Sequence, residues 1–201
     1  MAPQHPGWPA TLRYGRVGLR PLRRRDGPRW SELRMANERW LAPWEPSSPY
    51  PWAQRHSRSA FRAMLRVLRA QARVGASLPF AVCVDDRLVG QMTVSNVARG
   101  VLLSGHVGYW IDREHAGQGV TPTALALLVD HCFGPVRLHR IQADIRPENG
   151  PSRRVVTKLG FRQEAEYVRY LDIDGQYRDH LGFALTVEDV PDGLLRRFHT
   201  V

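Results

Sequence analysis

Apolar and polar residues alternate over seven stretches of this chain and recur at helical spacing over four others. The alternating stretches run from Arg16 to Leu22, Phe80 to Asp85, Leu88 to Val97, Ser104 to Ile111, Arg140 to Arg146, Tyr167 to Ile173 and Gln176 to Leu185. Rich in β-branched and aromatic residues, they predict strands. Asp85-Asp86-Arg87 joins one pair as a hairpin, and Asp174-Gly175 joins the last pair with the residues a type I′ turn requires. The clearest helix is Gln54 to Val74, where Phe61, Met64, Leu65, Leu68 and Ala72 share one face. Others are predicted from Gly27 to about Arg39, from Thr121 to Cys132 and from Ser152 to Leu159. For the third, Thr121 is the expected N-cap, Pro122 the first helical residue and Gly134-Pro135 the stop. Hairpins first, then strands alternating with helices, predict an α/β fold with a mixed, mostly antiparallel sheet of about seven strands flanked by helices.

Between the first two helices lies Pro43-Trp44-Glu45-Pro46-Ser47-Ser48-Pro49-Tyr50-Pro51-Trp52, a stiff amphipathic loop that either packs on the surface or walls a pocket. No internal repeat or domain boundary appears. One domain over 1–201 is expected, with an irregular lead-in at 1–12 and a C-terminal tail at 187–201. No membrane-length apolar run or signal peptide is present, which points to the cytoplasm. Cys83 and Cys132 lie in apolar patterns and read as small buried hydrophobes, and without a CxxC or paired Cys/His spacing no metal site is expected. The net charge of +10 favours anionic partners. It is concentrated in a stripe on the Gln54–Val74 helix, Arg55, Arg58, Arg62, Arg66, Arg69 and Arg73, which is either a solvated face or a contact to RNA.

Ala116-Gly117-Gln118-Gly119-Val120-Thr121-Pro122 stands between a strand (Tyr109, Trp110, Ile111) and a helix. Taken alone it is an ordinary tight turn or an anion site, because first-turn amides lack helical partners and sit at the positive end of the helix dipole. The dinucleotide fingerprint needs a third glycine and the nucleoside-triphosphate loop needs Gly-Lys-Ser/Thr; neither is present.

About thirty residues downstream comes IRPENGPSRRVVTKLGF, Ile145 to Phe161. With the glycine turn, this segment resembles the GNAT acetyltransferase superfamily: Asn149, Ser152, Leu159, Gly160 and Phe161 match its second motif. Tyr109-Trp110 and the tail Tyr170 to Leu185 are similar to the RimJ/RimL group. The resemblance covers about residues 80–186 and more weakly the N-terminal helices. It implies the GNAT acyl-CoA N-acyltransferase fold and transfer of the acetyl group of acetyl-CoA to the N-terminal amine of a ribosomal protein beginning with alanine or another small residue. It further implies that the main-chain amides from Gly117 through Gln118, Gly119 and Val120 to Thr121 hold the cofactor diphosphate, with Pro122 beside them in the cofactor site. Tyr109, Trp110, Ile111, Asn149, Ser152 and Arg154 would line the rest of the cofactor site. Ala116 departs from the Gln or Arg the family favours, with Arg113 and Arg154 able to compensate, and Thr121 replaces a small residue.

Acetyl transfer needs positioning, removal of the ammonium proton and donors aimed at developing charge. An α-amine, with pKa near ~7.7–8.0 against ~10.4 for lysine, needs only a modest base. Asp144 is the first candidate, at the place where RimI-type enzymes carry glutamate, though an exposed strand carboxylate would look the same. His106, where many relatives carry glutamate, is the second. Ser152 is the candidate proton donor to the leaving sulfur, Tyr170 and Tyr177 being weaker. Glu45, Asp174 and Asp179 could each meet a basic substrate group. Alternatives are a small-molecule amine acetyltransferase and a non-catalytic acetyl-CoA-binding module, and the chain would act as a monomer or homodimer.

Overall fold

The computed structural model describes residues 6–200. It contains eight strands: β1 (Leu12–Tyr14), β2 (Val17–Pro21), β3 (Leu78–Val84), β4 (Arg87–Ala98), β5 (Ser104–Ile111), β6 (Arg140–Ile145), β7 (Arg162–Ile173) and β8 (Gln176–Thr186). They form one sheet in the order β1-β2-β3-β4-β5-β6-β8-β7, antiparallel except for β5 and β6. The strand beyond the seven expected is β1, which pairs with β2 through Leu12↔Leu19 to Tyr14↔Val17. Asp174 and Gly175, at φ 52° and 77°, make the predicted tight turn between β7 and β8.

Two apolar layers sandwich the sheet. On one face α5 (Val120–Phe133) and α6 (Gly150–Lys158) pack over Phe80, Met92, Val107, Ile141 and Phe183. On the other, α1 (Gly27–Ala36) and α4 (Arg58–Arg73) place Trp30, Leu33, Phe61 and Leu65 against Ala81, Cys83 and Leu88. Because both faces of β3 are covered, every one of its residues is buried, and its sequence LPFAVCV reads as a continuous apolar run. α5 is buried nearly all round, since α7 (Leu194–Thr200) closes its outer side. Asp130 on α5 accepts from the amides of Leu194 and Leu195 at 2.6 and 3.0 Å and so caps the first turn of α7.

Both long N-terminal helices are interrupted. After Ala36 the chain bends at Asn37 before a short α2 (Glu38–Leu41). Buried Asn37 donates from its amide to the Asp112 carboxylate and accepts from the Arg113 amide, tying this bend to the end of β5. The helix expected from Gln54 is split at His56-Ser57 into α3 (Trp52–Arg55) and α4; Ser57 takes an extended conformation and accepts from the Ala60 amide as N-cap.

The feature that makes a site is a split in the sheet. β5 and β6 pair only at Ser104↔Arg140, Gly105↔Ile141 and His106↔Gln142. Beyond that, β5 follows β4 to Ile111 and β6 follows β8 to Ile145, so a gap opens between them toward their C-terminal ends. Ligands of open α/β sheets bind at such places.

Candidate functional site

The glycine turn lies at the mouth of this gap. Gly117 and Gly119 sit at φ 76° and 77°, a left-handed region in which a side chain is strained. A Cβ at either would meet open space, so it is the backbone conformation that calls for glycine here. Gly119, not Thr121, is the N-cap of α5, and the helix begins at Val120. A left-handed residue already turns the chain into the helix and leaves nothing for a Thr121 side-chain cap to do. Pro122 is tolerated in this first turn because its missing N–H would have no helical acceptor.

Two adjoining cavities fill the gap. The first, about 300 Å³, lies over the glycine turn and is lined by Tyr109, Trp110, Ile111, Gly117, Gly119, Thr121, Pro122, Asn149, Ser152 and Arg154 among others. The second, about 360 Å³, is lined by Asp144, His180, Gln91, Arg146 and the Glu45 loop, and shares Trp44, Glu45, Tyr109, Trp110, Asn149 and Ser152 with the first. Gln118 and Val120 face neither; they line a wider cleft of about 890 Å³ on the far side of the turn, with Lys158 and Arg197. Of the twelve residues expected at the cofactor, ten therefore surround one cavity and two lie across the turn from it.

Ser152 sits where the two cavities meet. Its amide donates to Asn149 Oδ1 at 3.2 Å, which uses Asn149 as the N-cap of α6 and leaves that side chain's NH2 as a donor. The Tyr109 hydroxyl donates to the Ser152 carbonyl at 3.4 Å, and burial pushes its pKa well above the usual phenol value, so it stays protonated.

The candidate bases form a single constellation rather than alternatives. His106 Nδ1 lies 3.2 Å from Asp144 Oδ2, and the Tyr170 hydroxyl donates to the same oxygen at 3.5 Å. Asp144 Oδ1 is buried with no partner among the described residues. Asp144 lines the second cavity and His106 does not, so the histidine stands behind the carboxylate. Tyr177 is exposed on the turn-side end of β8, Asp174 occupies the hairpin turn, and Asp179 accepts from the Arg169 amide, so these three lie outside the cavities. His180 was not legible as a site residue. It is buried in the second cavity with Nδ1 donating to the Arg178 carbonyl and its ring edge-on to Tyr170. The alternation of β8 alone pointed to this face, through its neighbour Gly182 opposite Asp144.

The Pro/aromatic loop walls both cavities. Its anchor is Arg34 on α1, 2% exposed, which pairs with Glu45 at 2.6 Å and lies 5.0 to 5.7 Å from the ring centroids of Trp30, Trp52 and Trp110. Arg55 holds the other Glu45 oxygen at 3.3 Å. His56 Nε2 accepts from Arg34 at 2.7 Å while Nδ1 donates to the Trp52 carbonyl. Burial, reinforced by the Arg34 charge, lowers the His56 pKa to about 4. The unfolded histidine takes up a proton near pH 6.5 and the folded one only near 4, so this contribution is complete above pH 6.5 and is lost as pH falls toward 4. Urea unfolding should show about 2–3 kcal/mol less stability from this group at pH 4.5 than at pH 7. The variant His56→Asn should flatten that part of the pH dependence.

Among the described residues no His/Cys/Asp/Glu group could hold a metal ion, and no helix is long and apolar enough to cross a membrane. Both cysteines are free and buried; burial pushes the Cys132 thiol up to about 12, which leaves it unreactive.

Known proteins are similar to this chain over most of its length. A solved structure of Mycobacterium smegmatis RimJ in complex with CoA-disulfide is 45% identical and superposes with a TM-score of 0.95, covering 98% of this chain and 96% of that one. The ribosomal protein uS5-alanine N-acetyltransferase of Escherichia coli is 32% identical over 90% of this chain and 93% of its own length. The structure of the ribosomal-protein-S5-alanine acetyltransferase of Vibrio fischeri is 28% identical, with a TM-score of 0.81 over 90% of this chain and 98% of that one. The acetyltransferase (GNAT) domain family matches residues 16–162. With the split sheet, the glycine turn and this match across most of its length, the chain belongs to the GNAT acetyltransferase family.

Proposed function

We propose that this enzyme transfers the acetyl group of acetyl-CoA to the N-terminal α-amine of a ribosomal protein whose first residue is alanine or similarly small. The observation that carries the reading is the meeting of two cavities at Tyr109, Asn149 and Ser152: one over a turn of free amides, the other holding a buried carboxylate oxygen without a partner. The relatives support the cofactor and the acceptor class, one structure being a complex with CoA-disulfide and two relatives being named as ribosomal-protein-alanine acetyltransferases.

The amides between Gly117 and Thr121 suit the diphosphate of the coenzyme, Arg154 adds charge, and the side-chain NH2 of Asn149, with Ser152 beside it, suits its arm. Bound acetyl-CoA supplies an activated thioester, so the chain itself has to orient an amine, keep water out and move one proton. Asp144 takes that proton directly or through water, while His106 and Tyr170 hold its Oδ2. Ser152, where the two cavities meet, is the donor for the departing thiolate. Glu45, already paired with Arg34 and Arg55, is a wall of the acceptor cavity rather than a free carboxylate for an ammonium. The partners are then a ribosomal protein and, through the arginine face of α4, ribosomal RNA; the enzyme works in the cytoplasm as a monomer or homodimer.

A peptide array with acetyl-CoA tests the acceptor class. Peptides with free N-terminal alanine or serine should be acetylated at the α-amine, with N-terminally blocked peptides bearing internal lysines at least tenfold slower. Gly119→Val should abolish turnover by straining the turn and crowding its amides. Faster turnover of small amines than of any peptide would sink the acceptor reading, and coenzyme binding without turnover would sink the enzyme reading.

A further inference from the structure

We infer that α4 docks this enzyme on the phosphate backbone of folded, double-stranded RNA, on the same side of the sheet as the acceptor cavity. This rests on the ribosomal reading above and names the contact that would deliver the acceptor. Arg58, Arg62, Arg66, Arg69 and Arg73 are all exposed, and their spacings of four, four, three and four residues keep them within about 80° of one another around the helix. From first to last they span about 22 Å. Arg24 joins them from the turn before α1, and a shallow cleft lies between Arg24, Arg62, Arg66 and Arg69.

What marks this face is a whole helix of arginines on a segment without counter-charge, whereas Arg13, Arg16, Arg20 and Arg140 each pair with a carboxylate, Asp86, Asp85, Asp26 and Glu164 in turn. No Asp or Glu occurs from residue 46 to residue 84, and none of the five α4 arginines has a carboxylate partner among the described residues. Like charges at helical spacing repel, so the stripe opposes its own helix unless something anionic covers it. Lys158 is the sole lysine, so 28 of the 29 basic residues are arginine, the side chain that meets phosphate bidentately.

The face also discriminates among anions. It carries no aromatic side chain on which an unpaired base could stack, the device single-strand binders use, so it reads backbone and shape. The apolar face of α4 is spent on Trp30, Ala81 and Cys83 and is not available to enter a membrane. Its location links it to catalysis: Trp30 contacts α4 through Phe61 and bonds Gln91 at 2.9 Å, and Gln91 and Trp110 line the acceptor cavity. A protein N-terminus projecting from an RNA surface held by α4 is thereby presented on the cavity's own side.

The test is binding of the full chain to an RNA duplex of about 20 base pairs, compared with single-stranded RNA of equal phosphate number, an acidic peptide and vesicles of anionic lipid. The duplex should bind tightest. Its affinity should fall by about 10²–10³-fold between 50 and 200 mM salt, as expected for roughly five phosphates neutralised. The triple variant Arg58→Ala/Arg62→Ala/Arg66→Ala should weaken duplex binding at least 100-fold and leave acetylation of a short free peptide within twofold. Unchanged duplex affinity in the variant overturns the inference, as does preference for the single strand, the peptide or the vesicles. Because duplex binding needs neither acetyl-CoA nor acceptor, failure of the acetyl-transfer reading would appear in the peptide assay alone.

Discussion

Replacing Glu45 with alanine is expected to cost about 3–5 kcal/mol of stability, a drop in Tm of roughly 6–15 °C for a chain of this size. The magnitude comes from what is left behind. Arg34 is 2% exposed, and its guanidinium is held by one carboxylate, one neutral histidine and three indole rings. Its Nε already lacks a partner, and burial already pulls its pKa below the ordinary guanidinium value, with Glu45 the main force opposing that. Removing Glu45 strands a buried charge, and the rings recover only part of the loss. Arg34→Met should cost less, because methionine fills the space among the tryptophans and Glu45, 23% exposed, still pairs with Arg55. In the double variant Arg34→Met/Glu45→Ala much of the Glu45→Ala loss should disappear, and a thermal-melt cycle over the four proteins reads that coupling. Additive losses would mean that the loop from Pro43 to Trp52 is held by its prolines and aromatic packing instead.

This hub also marks where reading along the chain reaches its end. Glycine at 117 and 119, the Asp174-Gly175 turn and the apolar stripe of α4 are each set by local backbone or by one period, so the sequence shows them directly. The break before α4 carried a local signal too, since Ser57 is a good N-cap preceding the arginine stripe, but the apolar period ran through it and outweighed it. The ion pair of Arg34 with Glu45, the capping of α7 by Asp130 and the stacking of His106 behind Asp144 join residues from separate elements, and no spacing rule reports such contacts. The split between β5 and β6 is of the same kind: each strand alternates normally, and only their different partners, β4 and β8, pull them apart. The candidate site residues therefore stand on the elements their patterns predicted, while the contact between Asp144 and His106 had no signal along the chain.

Substituting Asp144 by asparagine is expected to lower kcat for an N-terminal alanine peptide by about 10²–10⁴-fold, with coenzyme affinity unchanged. Asparagine keeps the shape and can still engage His106 and Tyr170, so a purely structural role would predict a small effect. The pH dependence separates the two readings. An α-amine with pKa near ~7.7–8.0 is mostly ammonium at pH 7, and the proton must then leave through the enzyme. Above that pH the neutral amine arrives ready to attack, and a base has less to contribute. The defect of Asp144→Asn should thus be deepest near pH 6.5 and shrink by at least tenfold by pH 9, whereas a misplaced cavity wall would give a loss that does not change with pH. Tyr170→Phe and His106→Gln act on Oδ2 alone, the oxygen turned away from an open valence, and should cost about tenfold or less with the same slope. If His106→Gln instead matched or exceeded Asp144→Asn at every pH, the imidazole would be the base and the carboxylate its orienting partner, in the manner of the Asp that steadies a histidine in hydrolytic triads.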